Sequence, residues 1–164
     1  LQPGMAFGTG QHPTTRLVAA AIAANAAPWR RLLDLGTGSG ILAMIAAGCG
    51  VEDIDAVETD PETARVAREN IVRNRMTERI RVTEDLRRCA GPYDAIVANI
   101  LLEPLVALAP AIAERLAPNG MCYCSGILRE QETVLVHAYA NAGLRAPAIA
   151  REGEWSCVGF TRGT

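Results

Sequence analysis

The amino-acid sequence predicts an α/β fold: an open, mostly parallel sheet of seven strands, helices on both faces, and an antiparallel hairpin at one edge. Three observations carry this. From Arg31 onward, short apolar runs alternate with longer stretches of helical character. The first such run, Leu32-Leu33-Asp34-Leu35, breaks into Gly36, Gly38 and Gly40 before a second apolar run, which reads as strand, tight turn and helix. The last two runs, Arg145 to Ala150 and Trp155 to Arg162, are joined by Arg151-Glu152-Gly153, too short for a crossover and suited to a hairpin.

The elements follow in order. Leu1 to Gln11 reads as a loop with Gly4, Gly8 and Gly10. His12-Pro13-Thr14-Thr15 opens a helix to about Asn25: Pro suits a first turn, and Thr hydroxyls can satisfy free N–H groups there. Strand Arg31 to Leu35, helix Gly40 to Ala47 and strand Ile54 to Glu58 come next. Asp60-Pro61 caps and starts a helix to about Asn74. Arg79 to Thr83 and Tyr93 to Ala98 are strands, and Glu103 to Leu116 is a helix stopped by Pro118-Asn119-Gly120. Met121 to Ser125 is a strand, and Leu128 to Asn141 a helix ended by Gly143. No repeat, low-complexity tract or linker interrupts residues 1 to 164, which read as one domain.

Composition narrows the function. At 49% hydrophobic and 21% charged, the chain has the balance of a globular protein with a real core. No apolar run approaches the roughly 18 residues of a membrane span, and no basic-then-apolar leader is seen; a cytoplasmic location is expected. The chain begins with Leu1 inside a loop motif, so a fragment of a longer protein is expected. A net charge of −2 argues against a broad nucleic-acid face. Arg65, Arg68, Arg73, Arg75, Arg79 and Arg81 are interleaved with Glu62, Glu69 and Glu78, the pattern of a solvated helix face. All 16 basic residues are Arg, which removes Schiff-base lysine chemistry and the P-loop lysine. The cysteines, Cys49, Cys89, Cys122, Cys124 and Cys157, fit no zinc spacing, so no metal is expected; buried reduced thiols are the simpler reading.

The glycine spacing identifies a ligand class. Dinucleotide folds use G-x-G-x-x-G, whereas here Asp34 precedes Gly36-x-Gly38-x-Gly40. This resembles the D-x-G-x-G-S-G loop of class I S-adenosylmethionine (SAM) methyltransferases, a Rossmann-like fold. Glu58 closes the second strand 22 residues after Gly36, the place of a ribose-binding acid. Ligands in such sheets bind at the carboxyl ends of the strands. Asp34, Gly36 and Gly38 are then expected to face the methionine part of SAM, and Glu58 the ribose hydroxyls. Asp85, at the third strand end, could accept from the adenine amino group or be a solvated loop acid. Asn99 ends the fourth strand, and its neutral amide could orient a nucleophilic amine; alternatively it caps a helix. Glu103 fits a first-turn helix acid better than a general base. His12 reads as a lid contact or a surface loop residue, and His137 as structural.

The combination of motifs resembles one family. Phe7-Gly8-Thr9-Gly10-Gln11-His12-Pro13-Thr14-Thr15, the loop Asp34 to Ala43, Asn99-Ile100-Leu101 with Pro104-Leu105, and Ser125-Gly126-Ile127-Leu128 with Gln131 and Glu154-Trp155 are similar to motifs of the ribosomal protein L11 methyltransferase (PrmA) family. The resemblance implies SAM as cofactor, a large-subunit ribosomal protein as partner, and methylation of its lysine or amino-terminal amines. It brings Phe7, Thr9 and Thr15 to the cofactor, with Gly36, Glu58 and Asn99, and makes Asn99 the catalytic candidate. Two residues depart from the family pattern: Glu58 stands where Asp is common, and Leu102-Glu103 where small residues are usual. The family's amino-terminal docking domain is not expected within these residues. Rival readings are a methyltransferase of another protein or small molecule, a nucleic-acid amine methyltransferase, which would more often carry N-P-P-Y at Asn99, and a SAM-binding module without activity.

Overall fold

A computed structural model describes residues 10–163 of the chain. The expected Phe7 and Thr9 contacts lie outside the described residues. Helix α1 (Pro13–Asn25) leads into β1 (Arg31–Leu35), α2 (Ile41–Gly48), β2 (Asp53–Val57), α3 (Pro61–Arg73), β3 (Ile80–Thr83) and β4 (Tyr93–Asn99). The second half runs α4 (Leu102–Arg115), β5 (Leu116–Leu128), α5 (Glu132–Asn141), β6 (Leu144–Glu152) and β7 (Trp155–Arg162).

The seven strands form one sheet in the order β3-β2-β1-β4-β5-β7-β6. The pairs from β3 through β5 are parallel, while β5–β7 and β6–β7 are antiparallel. The central parallel strands β1 and β4 are mostly apolar on both faces because each face is covered. Leu33, Leu35, Ile96 and Ala98 pack beneath α4 and α5 with Leu105, Ile112, Leu135, Tyr139 and Phe160. Their alternates Leu32, Ala95 and Val97 pack beneath α1 and α2 with Val18, Ile22, Leu42 and Ala46. The order reverses between β1 and β4, so a crevice opens at their carboxyl ends.

The helix starts have local causes. Asp60 Oδ2 accepts from Thr63 N at 2.8 Å and Pro61 opens α3, as the sequence predicts. At α1 the cap is the His12 ring, whose Nδ1 accepts from Thr14 N at 3.3 Å, rather than a Thr hydroxyl. His12 is buried, not a surface loop residue, because its ring stands edge-on to Trp155 with centroids 4.9 Å apart.

Three boundaries differ from expectation. Strand β5 begins at Leu116, directly after α4: Leu116 pairs with Tyr93 and Met121 with Ala95, so Pro118-Asn119-Gly120 bulges out of a strand already formed. Asn119 supplies the positive φ, 60°, that this bulge needs. Strand β5 also outruns Ser125, because Ile127 and Leu128 pair with Ser156 and Trp155. That pairing takes Leu128 from the expected helix, and a 3-10 turn at Arg129–Gln131 precedes α5.

The expected Arg–Glu face is present: Arg65 pairs with Glu62 and Glu69 on α3, and Arg68 with Glu84. Cys89, Cys122, Cys124 and Cys157 are buried, with the Cys122 and Cys124 sulfurs 3.5 Å apart on one face of β5. One expectation fails: Cys49 is exposed, at the end of α2. His137 lies within α5, as expected, on its exposed side. Among the described residues no helix is long and apolar enough to cross a membrane, and no group of three or more His, Cys, Asp or Glu could hold a metal.

Candidate active site

The glycine turn after β1 is built by backbone contacts that only glycines permit at several points. Gly36 N and Thr37 N both donate to Val57 O, at 2.8 and 2.9 Å, which locks the turn against the end of β2. Gly36, Gly38 and Gly40 have φ of 69°, 57° and 87°, the left-handed region that L side chains resist. A Cβ at Gly38 would meet nothing within 4 Å, so the loop presents bare backbone to open space.

Asp34 lies directly beneath this turn, with no exposed surface. Its Oδ2 accepts from Thr37 Oγ1 at 2.6 Å and from Ala43 N at 3.2 Å, in the first turn of α2. Its Oδ1 has no partner among the described residues. Burial pushes the carboxyl up to about 6, against the opposing pull of the Thr37 and Ala43 bonds. Glu58, just past β2, is half-buried; its Oε2 accepts from Gly38 N at 3.1 Å and its Oε1 from Asp60 N at 3.2 Å. The acid 22 residues on from Gly36 is thereby tied to the glycine loop itself.

Two cavities meet at Gly36. A cleft of about 320 Å³ is lined by Gly36, Val57, Glu58, Leu86, Ile100 and Pro104, among others. A narrow pocket of about 70 Å³ is lined by Thr15, Gly36, Gly38, Ser39, Ile41 and Asn99, among others. The first is apolar with an acid at its edge, and the second lies over the glycine turn and the start of α2.

Asn99 is the last residue of β4 and pairs with Ser125. Its Nδ2 donates to Thr15 Oγ1 at 3.2 Å, and its buried Oδ1 has no partner among the described residues. The cap of α4 is Leu101, so Asn99 is not spent as a helix cap. Asp85 sits differently. Its Oδ1 accepts from Arg87 N at 2.9 Å and both oxygens hold the Arg87 guanidinium; the next residue, Leu86, lines the cleft. The arginine holds the Asp85 carboxyl below its ordinary value. Glu103 is exposed in the first turn of α4.

Sequence reasoning missed what holds Asn99 in place. A Cβ at Gly126 would lie 2.3 Å from Ile100 O, and one at Gly36 would lie 2.3 Å from Ile100 Cγ2. Ile100 is thus clamped between two glycines, and Ile100 N donates to Ser125 O at 3.2 Å. An isolated Gly inside an apolar run was the available signal for Gly126. Also missed was the tie that fixes the far edge of the sheet. Glu132 of α5 accepts from Arg151 of β6 at 2.7 and 2.8 Å and from the Ser156 hydroxyl of β7. Arg16 of α1 pairs with Glu152 on the same hairpin. That last pair ties α1, which carries Thr15, to the hairpin.

This sheet order, with the glycine turn after β1 and an acid after β2, defines a Rossmann-like methyltransferase domain. A profile of the ribosomal protein L11 methyltransferase (PrmA) family matches residues 1–163, and the chain belongs to that family. It is 45% identical over 166 residues to the ribosomal protein L11 methyltransferase of Syntrophotalea carbinolica, covering 99% of this chain and 54% of that protein. To that of Geobacter sulfurreducens it is 44% identical over 158 residues, covering 96% and 52%. The chain therefore spans about half the length of the curated relatives it matches. Its fold is similar to a crystal structure of the ribosomal protein L11 methylase from Lactobacillus delbrueckii subsp. bulgaricus, with TM-score 0.89, 31% identity, and 94% of this chain and 81% of that one covered.

Proposed function

We propose that the chain is the catalytic part of a SAM-dependent N-methyltransferase that methylates lysine or amino-terminal amines of ribosomal protein L11. The observation that carries this is a pair of buried oxygens, Asp34 Oδ1 and Asn99 Oδ1, that have no donor among the described residues. Asp34 pairs with Val97 across β1 and β4, two residues before Asn99, so both stand at the same switch point. A buried acceptor without a donor costs about 1–3 kcal/mol, which a ligand N–H relieves. The Asp34 oxygen, beneath the glycine turn, fits a ligand ammonium such as that of the methionine part of SAM, and the Asn99 oxygen fits the acceptor amine. Glu58, at the mouth of the apolar cleft, fits ribose hydroxyls.

SAM supplies a methyl group on a positive sulfur; the chain's residues do the rest. Asp34 holds a negative charge in a dry site, where it binds a cation strongly. Asn99 holds the acceptor amine through Oδ1 while Thr15 fixes the amide by accepting from Nδ2. A lysine near pKa 10.4 is neutral at pH 7 at a cost of about 4.6 kcal/mol. A neutral amide favours the neutral amine, where a carboxylate would trap the ammonium as an ion pair. Catalysis is then positioning and exclusion of water. We assign the adenine amino group to Asp85, whose carboxylate it would share with Arg87.

A nucleic-acid substrate is disfavoured by the net charge of −2 and by the pairing of Arg65, Arg68, Arg81 and Arg87 with acids. The reading places the protein in the cytoplasm, with its ribosomal substrate. Calorimetric titration tests the cofactor: SAM and S-adenosylhomocysteine bind and NAD does not. NAD binding more tightly than SAM would overturn the reading.

A further inference from the structure

We propose that the cavity at the start of α4 is the doorway of the amine acceptor, and that Glu103 and Leu101 select a cationic side chain there. This rests on the methyltransferase reading above. The cavity, about 290 Å³, is lined by Leu101, Leu102, Glu103, Pro104, Gly126 and Gln131. It adjoins the turn that carries Asn99. Leu101 follows Asn99 by two residues, and Gly126 both follows the Ser125 that pairs with Asn99 and bears on the Ile100 carbonyl. Pro104 also lines the nucleoside cleft, so the two cavities share a wall.

The lining has the chemistry of a lysine side chain's counterpart. Leu101 is 67% exposed, the most exposed large apolar side chain among the described residues. An aliphatic stem laid over it would bury apolar area on both sides. Glu103 is next but one, and among the described residues its carboxylate has no hydrogen bond or ion pair. The acids at Asp53, Glu62, Glu84, Asp85, Glu132 and Glu152 all hold arginines, so a free carboxylate at this rim is available to an incoming charge. Gln131 Oε1 accepts from Leu128 N at 2.9 Å, which fixes the amide and leaves its NH₂ for a carbonyl of the acceptor chain.

Glu103 thereby acts on arrival, not on transfer. An ammonium drawn to the rim gives its proton to bulk water there before it reaches Asn99, and the carboxylate stays ionised at the exposed rim. Its effect belongs in the Michaelis constant and is weakened by salt.

Steady-state methylation of purified ribosomal protein L11 by the chain, at saturating SAM and at low and high salt, tests this. Glu103→Gln should raise KM for L11 about threefold and Glu103→Arg about tenfold at low salt, with kcat held within about threefold. Glu103→Asp should restore KM to within about twofold. Leu101→Ser should raise KM about threefold at either salt. Glu114→Gln, at the other end of α4, should leave KM unchanged, which separates local from net charge. A wild-type chain that methylates L11 with a KM indifferent to Glu103→Arg overturns the doorway and leaves the methyltransferase reading standing. A wild-type chain that transfers no methyl group to L11 overturns both.

Discussion

Replacing Asp34 by Asn should make the free chain more stable and the ligand complex weaker. With no exposed surface, the Asp34 carboxyl is pushed from 3.8 up to about 6. Below pH 3.8 the group is neutral in folded and unfolded chains and costs nothing. Between 3.8 and 6 the unfolded chain ionises first, and stability falls as pH rises. Above 6 the cost is complete, about 3 kcal/mol. Asn is neutral throughout and keeps an oxygen for Thr37 and Ala43, but it puts an NH₂ where Oδ1 stood. That unpaired donor returns about 1 kcal/mol or more. The net gain at pH 7.5 is about 1–2 kcal/mol, or about 3–6 °C in Tm for a domain of this size. At pH 4 it disappears. The same NH₂ would oppose a ligand ammonium, so SAM affinity should drop at least about tenfold. Wild-type affinity should itself fall as pH drops through about 6, because protonated Asp34 no longer attracts a cation. Thermal unfolding at both pH values with calorimetry at pH 7.5 checks all of this. A variant less stable than wild type at pH 7.5, with SAM affinity intact, would refute the reasoning and leave Asp34 a structural cap.

Gly126→Ala should lose about 2 kcal/mol or more in thermal unfolding, since Gly126 has φ 89° and a Cβ there would stand 2.3 Å from Ile100 O; it should also slow methyl transfer by shifting Asn99. Glu132→Gln should cost about 2 kcal/mol at pH 7, measured by urea unfolding, because it weakens the bonds to Arg151 and Ser156. The Arg151 guanidinium holds the Glu132 carboxyl down to about 2, so that stabilisation is present above 4.5 and is lost as pH falls toward 2.

The sheet was legible because both its faces are covered. Leu32-Leu33 and Ala95-Ile96-Val97-Ala98 have no polar alternates, which is the pattern of buried parallel strands. The strand ends at Glu58 and Asn99 followed from that, since a run of apolar residues stops where the cleft begins. What stayed hidden depends on residues far apart in sequence. The pairing of Leu128 with Trp155 shortened α5, and nothing local to Leu128 signals it. The cap of α1 by His12 depends on Trp155 covering the ring. The Ile100 clamp needs Gly36 and Gly126 together, and the unpaired Asp34 oxygen appears only once Thr37 and Ala43 have taken the other. Asp85 shows the converse: its position at a strand end was readable, whereas its engagement by Arg87 was not.

The central claim is that Asn99 positions the acceptor amine. Single-turnover methylation of L11 at saturating concentrations, read by mass spectrometry, tests it most directly. Asn99→Ala should slow transfer about a hundredfold or more with SAM affinity little changed, while Glu103→Gln stays within about threefold of wild type. A near-normal rate in the Asn99 variant with collapse in the Glu103 variant would contradict the account and make Glu103 the general base.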